Sequence, residues 1–217
     1  MGWIRRFDMA VAAERAIGLE LAAEVVRRGE LVVLPTDTVY GLGTDAFSPE
    51  AVGELLAAKG RGRDLPVPVL VGSPRTLDGI ATGLSKRARE LVEAFWPGGL
   101  TVVARAQPSL RWDLGDTDGT VAVRMPLHPV AIELLQATGP MAVSSANISG
   151  KPPATTLDEA IEALGEAVSV YLDGGPSGDP VPSTIVDVTG PAPRLLRAGA
   201  VSTEVLREVV PDLLEEP

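Results

Sequence analysis

Short apolar runs alternate with capped amphipathic segments along this whole chain, and that alternation restricts it to an α/β fold. Residues 31–35, 67–71, 100–106, 120–125, 141–145, 168–172, 184–188 and 194–197 read as strands by length and aliphatic content. Met9, Ala12, Ala16, Leu19, Ala23 and Val26 recur at spacings of three and four, which predicts a helix with Asp8 as N-cap and Gly29 beyond its end. Ser48-Pro49 places a cap and a proline at the start of a second helix reaching about Lys59. Ser85 caps a third, with Ala88, Leu91, Val92 and Phe95 inward and Pro97 as its stop. Residues 130–137 form a short helix, Thr156-Leu-Asp-Glu159 is a capping box opening another to about Leu164, and a last helix lies near 203–209. No linker or repeat interrupts the series, so one domain over 1–217 is expected. The long loops predict a mixed sheet rather than a wholly parallel one.

Composition narrows the chemistry. A hydrophobic content of 45% over 217 residues supports a sizeable core, and 4% aromatic makes that core aliphatic. The absence of cysteine removes disulfides, thiolate metal sites and cysteine nucleophiles together. One histidine, His128, is too few for a histidine metal cluster, and its place between a strand and a helix marks it as a turn residue rather than a base. A net charge of −10 disfavours a protein whose main task is gripping nucleic acid. No apolar run approaches the roughly 18 residues of a membrane span, and the first eight residues do not read as a signal peptide. The expected location is the cytoplasm, without membrane contact.

Six segments carry the chemical signal. Leu34-Pro-Thr-Asp-Thr-Val-Tyr-Gly-Leu-Gly43 delivers Thr36, Asp37 and Thr38 to a strand end, with Gly41 and Gly43 permitting close backbone approach. Lys59-Gly-Arg-Gly-Arg-Asp64 concentrates three cations in a glycine-rich loop, which suits a phosphate-binding lid. In Thr120-Val-Ala-Val-Arg-Met-Pro126, alternation puts Thr120, Ala122 and Arg124 on one strand face. An arginine there needs an anion, either a protein carboxylate or a bound substrate. Met141-Ala-Val-Ser-Ser-Ala-Asn147-Ile-Ser-Gly150 is an apolar strand that opens abruptly into hydroxyls and an amide, the signature of a ligand cradle at a strand end. Val181-Pro-Ser-Thr-Ile-Val-Asp187, preceded by the Gly-rich turn 173–179, and Leu195-Leu-Arg-Ala-Gly199 complete the set. Asp116-Thr-Asp-Gly119 is only half a calcium loop, and neither a P-loop nor a dinucleotide fingerprint occurs.

In this order the strings PTDTVYGLG, KGRGRDLP, FWPGGLT, TVAVRMPLHP, SSANISGKPP, STIVDV and LLRAG resemble the threonylcarbamoyl-AMP synthase, or Sua5/YrdC/YciO, family. They span about 33–199, and the chain resembles the short form without a further C-terminal domain. The resemblance implies a single YrdC-like α/β domain: a twisted mixed β-sheet with flanking helices and a concave central pocket. It implies a reaction in which L-threonine, bicarbonate and ATP give threonylcarbamoyl-AMP and pyrophosphate, for modification of adenosine 37 of tRNA. By motif position, Thr36, Arg124 and Ser183 would hold threonine. Lys59 and Arg61 would be catalytic, closing with Arg63 over the phosphates of ATP. Thr120, Val143, Ser145, Asn147, Pro153 and Arg197 would contact the nucleotide. Mg2+ would accompany the triphosphate, and transient contact with the tRNA threonylcarbamoyl transferase complex is implied, with direct tRNA binding disfavoured by the net charge.

Three positions depart from the family pattern. Gly62 and Gly99 stand where proline is common, which loosens two loops. Leu70 occupies the place nearest a histidine found in some members. The alternatives from other classes are a YciO-like nucleotide- or RNA-binding protein of the same fold, and a regulatory domain that binds nucleotide without turnover. Retention of Lys59, Arg61 and the SSAN string favours the synthase.

Overall fold

The computed structural model describes residues 4–178 and 181–215, so Asp179 of the glycine-rich turn lies outside the described residues. The strands are β1 (Arg6–Asp8), β2 (Val32–Leu34), β3 (Gly41–Asp45), β4 (Val69–Leu70), β5 (Ala81–Thr82), β6 (Leu100–Ala106), β7 (Thr120–Arg124), β8 (Met141–Ser145), β9 (Val170–Asp173), β10 (Thr184–Asp187), β11 (Arg194–Arg197) and β12 (Leu214–Glu215). The helices are α1 (Ala12–Arg27), α2 (Pro49–Ala58), α3 (Thr76–Ile80), α4 (Lys86–Phe95), α5 (Pro129–Thr138), α6 (Leu157–Leu164) and α7 (Thr203–Val209). The strands join one mixed sheet in the order β1-β9-β2-β3-β8-β4-β7-β6-β10-β11-β12, with β5 added beside β6.

Capping chemistry sets most helix starts. Ser48, Ser85 and Ser202 accept the N–H of Ala51, Ala88 and Val205, and Thr156 and Glu159 cap each other reciprocally. The first helix differs from expectation. The Asp8 carboxylate accepts the Ala10 N–H at 2.8 Å and closes a turn, so α1 begins only at Ala12, with Val11 at the N-cap position. The second correction is β3. Gly41 and Gly43 lie outside every expected strand, yet they run in a central strand between β2 and β8. A Cβ on Gly41 would lie 2.7 Å from a Val143 methyl, and one on Gly43 2.9 Å from the Met141 methyl. The glycines there make room for the larger side chains of β8. Sequence patterning also passed over β1, α3, β5 and β12, which are short.

The two faces of the sheet differ, and the difference creates the site. Alternating residues divide between two apolar clusters: Val33, Val69, Val123 and Ala142 on one face, Val32, Leu34, Leu70, Met141 and Val143 on the other. On the second face, α1 and α5 supply Ala22, Val25, Val26, Val130, Leu134 and Leu135. Their cluster stops at Leu70 of β4. The register pairs Leu70 with Arg124, Ala122 with Val103, and Ile185 with Thr101, so the same face continues through β7, β6 and β10. There it forms the floor of an open cleft of about 520 Å3, within the usual size range for a small-molecule site.

Candidate functional site

The cleft brings together most of the residues singled out from sequence. Thr36, Arg61, Arg124, Val143, Ser145, Asn147, Pro153, Ser183 and Arg197 all line it. Lys59, Arg63 and Thr120 do not. The Thr120 hydroxyl donates to the Thr117 carbonyl at 2.7 Å. The three cations of the basic loop therefore have three separate environments rather than forming one lid.

Lys59 closes the C-terminal end of α2 and is 2% exposed. Its Nζ donates to the Ser145 carbonyl, to the Asn147 carbonyl at 2.7 Å, and to Asn147 Oδ1 at 3.3 Å. Three donors thus meet neutral oxygens, and among the described residues no carboxylate balances the charge. Burial, with the neighbouring Arg61 charge adding to it, pushes the Lys59 pKa down to about 8. The strand-to-turn junction after β8 is consequently organised around this ammonium, while the Asn147 amide N–H groups close the turn on the carbonyls of Ile148 and Lys151.

Arg61 donates to the carbonyls of Leu65 and Pro66 at 2.7 and 3.2 Å and to Ser144 Oγ at 3.0 Å. These acceptors are also neutral, and burial lowers its pKa without deprotonating it. Arg63 is exposed and forks onto Asp113 at 2.8 and 3.0 Å.

At the other end of the cleft, Arg124 rises from β7 with a side chain 8% exposed. Its Nε donates to the Gly98 carbonyl at 2.9 Å, one terminal nitrogen to Thr38 Oγ1 at 2.8 Å, and the other to Asp37 Oδ1 at 2.6 Å. Of the two anions sequence allowed, the protein carboxylate is present. Three of five donors are engaged, so each terminal nitrogen keeps one N–H. Burial lowers the Arg124 pKa, and Asp37 opposes that shift. Thr36 accepts the Thr38 N–H at 3.2 Å and donates to the Val39 carbonyl at 2.6 Å, tightening the turn that presents Asp37. Across the cleft, Arg197 grips the Ser183 carbonyl at 2.7 and 3.1 Å, and the Ser183 hydroxyl shares a 2.7 Å bond with Thr101. Gly199 permits this approach, since a Cβ there would lie 2.3 Å from the Pro182 carbonyl oxygen.

Several lining residues were not singled out as ligands: Thr38, Thr101, Ser144 and Lys151. All fall inside the quoted strings, but no spacing rule says which member of a string faces inward. His128 is the N-cap residue of α5, not a cleft residue.

The electrostatic character is one-sided. Among the described residues, Arg61, Arg124, Lys151 and Arg197 line the cleft and no carboxylate does, in a chain with 29 acidic and 19 basic residues. Such a cavity selects anions, and its hydroxyl and amide groups suit phosphate or carboxylate oxygens. Among the described residues no cluster of three metal-ligating side chains exists. These residues do not fit a resident metal ion.

Comparison with known proteins agrees with this character. The Sua5/YciO/YrdC family model, described as telomere recombination, matches residues 24–199. The chain is 58% identical over 204 residues to a Mycobacterium tuberculosis protein provisionally named threonylcarbamoyl-AMP synthase, covering 94% of each. It is 38% identical over 193 residues to the threonylcarbamoyl-AMP synthase of Bacillus subtilis, covering 87% of this chain and 55% of that protein. Pyrococcus abyssi Sua5 complexed with L-threonine superposes with a TM-score of 0.92 at 34% identity, over all of this chain and 63% of that one. The chain thus spans less than two thirds of these last two proteins. A match across 24–199 together with relatives aligned over nearly the full length places the chain in the Sua5/YciO/YrdC family.

Proposed function

We propose that this chain is a threonylcarbamoyl-AMP synthase acting in the cytoplasm as one domain over 1–217. The observation that carries the reading is the cleft itself, lined among the described residues by four cations and no carboxylate in an acidic protein. Relatives bearing that name, one of them 58% identical, support it.

The reaction joins a carboxylate-bearing amino acid, bicarbonate and a triphosphate. The threonine nitrogen bonds to the bicarbonate carbon with loss of water. A carbamate oxygen then bonds the α-phosphorus, and the α–β anhydride breaks with its electron pair leaving on pyrophosphate. No covalent nucleophile is required, so positioning and charge stabilisation do the work. The free N–H groups of Arg124, with Thr36 and Ser183, bind the threonine carboxylate and amine end. Asp37 keeps that guanidinium fixed and leaves its outer edge for the substrate. Arg61 and Lys59 stabilise negative charge on the phosphates. Ser145, Asn147, Arg197 and the backbone near Val143 and Pro153 hold the remainder of the nucleotide. Magnesium enters with the triphosphate as part of the substrate. The adenylate then serves the transferase that modifies adenosine 37 of tRNA.

The test is pyrophosphate release by the purified protein with threonine and bicarbonate omitted in turn. Release requiring both is expected. ATP binding without threonine-dependent release would overturn the reading in favour of a YciO-like or regulatory protein.

A further inference from the structure

Arg61 is held by neutral acceptors, two of which belong to its own loop. Its position therefore depends on the conformation of residues 60–66. That loop contains Gly60, in the left-handed region at φ +59, and Gly62, so it is costly to order unaided. Its order comes from the loop between β6 and β7. Arg63 forks onto both oxygens of Asp113 and lies 3.6 Å from Asp116. The Asp116 N–H donates to the Arg63 carbonyl and the Val67 N–H to the Leu114 carbonyl, both at 2.8 Å, so backbone bonds flank the ion pair. Gly115, at φ +101, lets the loops meet, since a Cβ there would lie 2.8 Å from the Arg63 carbonyl oxygen. The second loop is itself anchored: Leu114 is buried in the larger core, and Trp112 stacks on Phe47 with ring centroids 5.6 Å apart. Asp113 in turn accepts the Gly115 N–H at 3.2 Å, which fixes the carboxylate that Arg63 grips.

We propose that Asp113 is a positioning residue, acting through Arg63 to hold the 60–66 loop so that Arg61 is set in the cleft before nucleotide arrives. The proposal rests on the synthase reading, in which Arg61 contacts phosphate. It assigns Arg63 a role at the rim rather than on the substrate. The two roles predict opposite signs for one substitution. If Arg63 touched phosphate, Asp113→Asn would release it and leave ATP binding unchanged or tighter. If Asp113 holds the loop, the same change weakens ATP binding.

Steady-state pyrophosphate release would be measured for Asp113→Asn, Arg63→Ala, both together, and the exchanged pair Arg63→Asp/Asp113→Arg. Each single change is expected to raise the KM for ATP about fivefold, the scale of an exposed ion pair, with the KM for threonine unmoved. The double variant should be no worse than either single, and the exchanged pair should recover most of the loss. An unchanged or lowered ATP KM in Asp113→Asn, or additive effects, overturns the proposal. Amide hydrogen exchange of residues 60–66 in the ligand-free protein separates this failure from failure of the synthase reading. Exchange should quicken in Asp113→Asn, and in the unaltered protein at high salt, where an exposed pair is screened. Unchanged exchange sinks the latch even if the synthase is real. Faster exchange, with weaker binding of inorganic pyrophosphate by calorimetry, supports it even if threonine proves not to be the substrate.

Discussion

The two ends of the cleft solve the same problem in different ways. At the β7 end, Arg124 is buried beside a carboxylate of its own chain, Asp37, 2.6 Å away. At the β8 end, Lys59 is buried as deeply but meets only carbonyl and amide oxygens, and Arg61 beside it hydrogen-bonds only neutral oxygens, with the Asp64 carboxylate acting on its charge without a hydrogen bond. A compensated arginine is an oriented donor whose charge is already matched. An uncompensated lysine is a standing demand for an anion. The first arrangement suits a small carboxylate that must be placed accurately, and the second suits a polyphosphate whose charge must be stabilised while it is redistributed. In the proposed reaction, selectivity for one amino acid and power over a phosphoryl group would thus come from opposite electrostatic designs.

Removing the uncompensated cation should have the largest effect. Lys59→Met is expected to lower kcat/KM by about 10^3, near 4 kcal/mol of transition-state stabilisation, with the KM for threonine little altered. Stability at neutral pH should change little, because loss of hydrogen bonds to Ser145 and Asn147 is offset by removal of an unpaired buried charge. A tenfold or smaller effect, read from initial rates, would show that Lys59 only shapes the SSAN turn. Arg124→Ala breaks the compensated pair instead. It should raise the KM for threonine at least 100-fold and cost about 3 kcal/mol of folding stability, since Asp37 is left without its partner. Adding Asp37→Asn should restore stability in denaturant titration without restoring threonine affinity. Restored affinity would mean that the unpaired Asp37 carboxylate, not the loss of the arginine, is what weakens threonine binding.

The contrast also has a pH signature. The Lys59 pKa falls from 10.5 in the unfolded chain to about 8 in the folded protein. Between those values the unfolded chain holds a proton that the folded protein has released, so stability rises with pH across that window. Below about pH 8 the full penalty applies. The rise is bounded at about 3 kcal/mol. Urea titrations from pH 7.5 to 10.5 should show it in the unaltered protein and a flatter profile in Lys59→Met. Saturating inorganic pyrophosphate should flatten it as well, because a bound anion holds Lys59 protonated. An identical slope in the variant would mean that the lysine is not desolvated.

The sequence exposed the fold wherever local chemistry decides it. Serine and threonine caps placed α2, α4 and α6, and the final helix 203–209 matched to the residue. It was misleading where tertiary packing overrides local preference. Gly41 and Gly43 weaken any strand signal in the sequence, yet they form a central strand in which Val143 and Met141 occupy the space above them. Within the site, nine of the twelve residues named by motif position line the cleft. Two of the three that do not line it, Lys59 and Arg63, share a cause. Lys59 and Arg63 flank Arg61 in one short loop, and composition cannot say that one cation turns into the protein and the other toward Asp113. The partner that decides the matter is 50 residues away in the chain.

The smallest effect tests whether the two ends are independent at all. Ser144 Oγ is the only acceptor of Arg61 that lies outside its own loop among its three hydrogen bonds, at 3.0 Å. Ser144→Ala removes one bond to a charged donor and leaves Leu65 and Pro66 in place. The expected loss is about 1 kcal/mol, a three- to tenfold rise in the KM for ATP, with kcat and the KM for threonine unchanged. Ser144 sits on β8 beside Val143, whose side chain lines the cleft floor toward Leu70 and Arg124. A shift propagating along that strand would therefore reach the threonine end. If the KM for threonine rises in step with that for ATP, the compensated and uncompensated halves form one coupled site, and the division of labour between carboxylate placement and phosphate stabilisation fails. If only ATP responds, Arg61 is tuned locally, and each end of the cleft answers to its own neighbours.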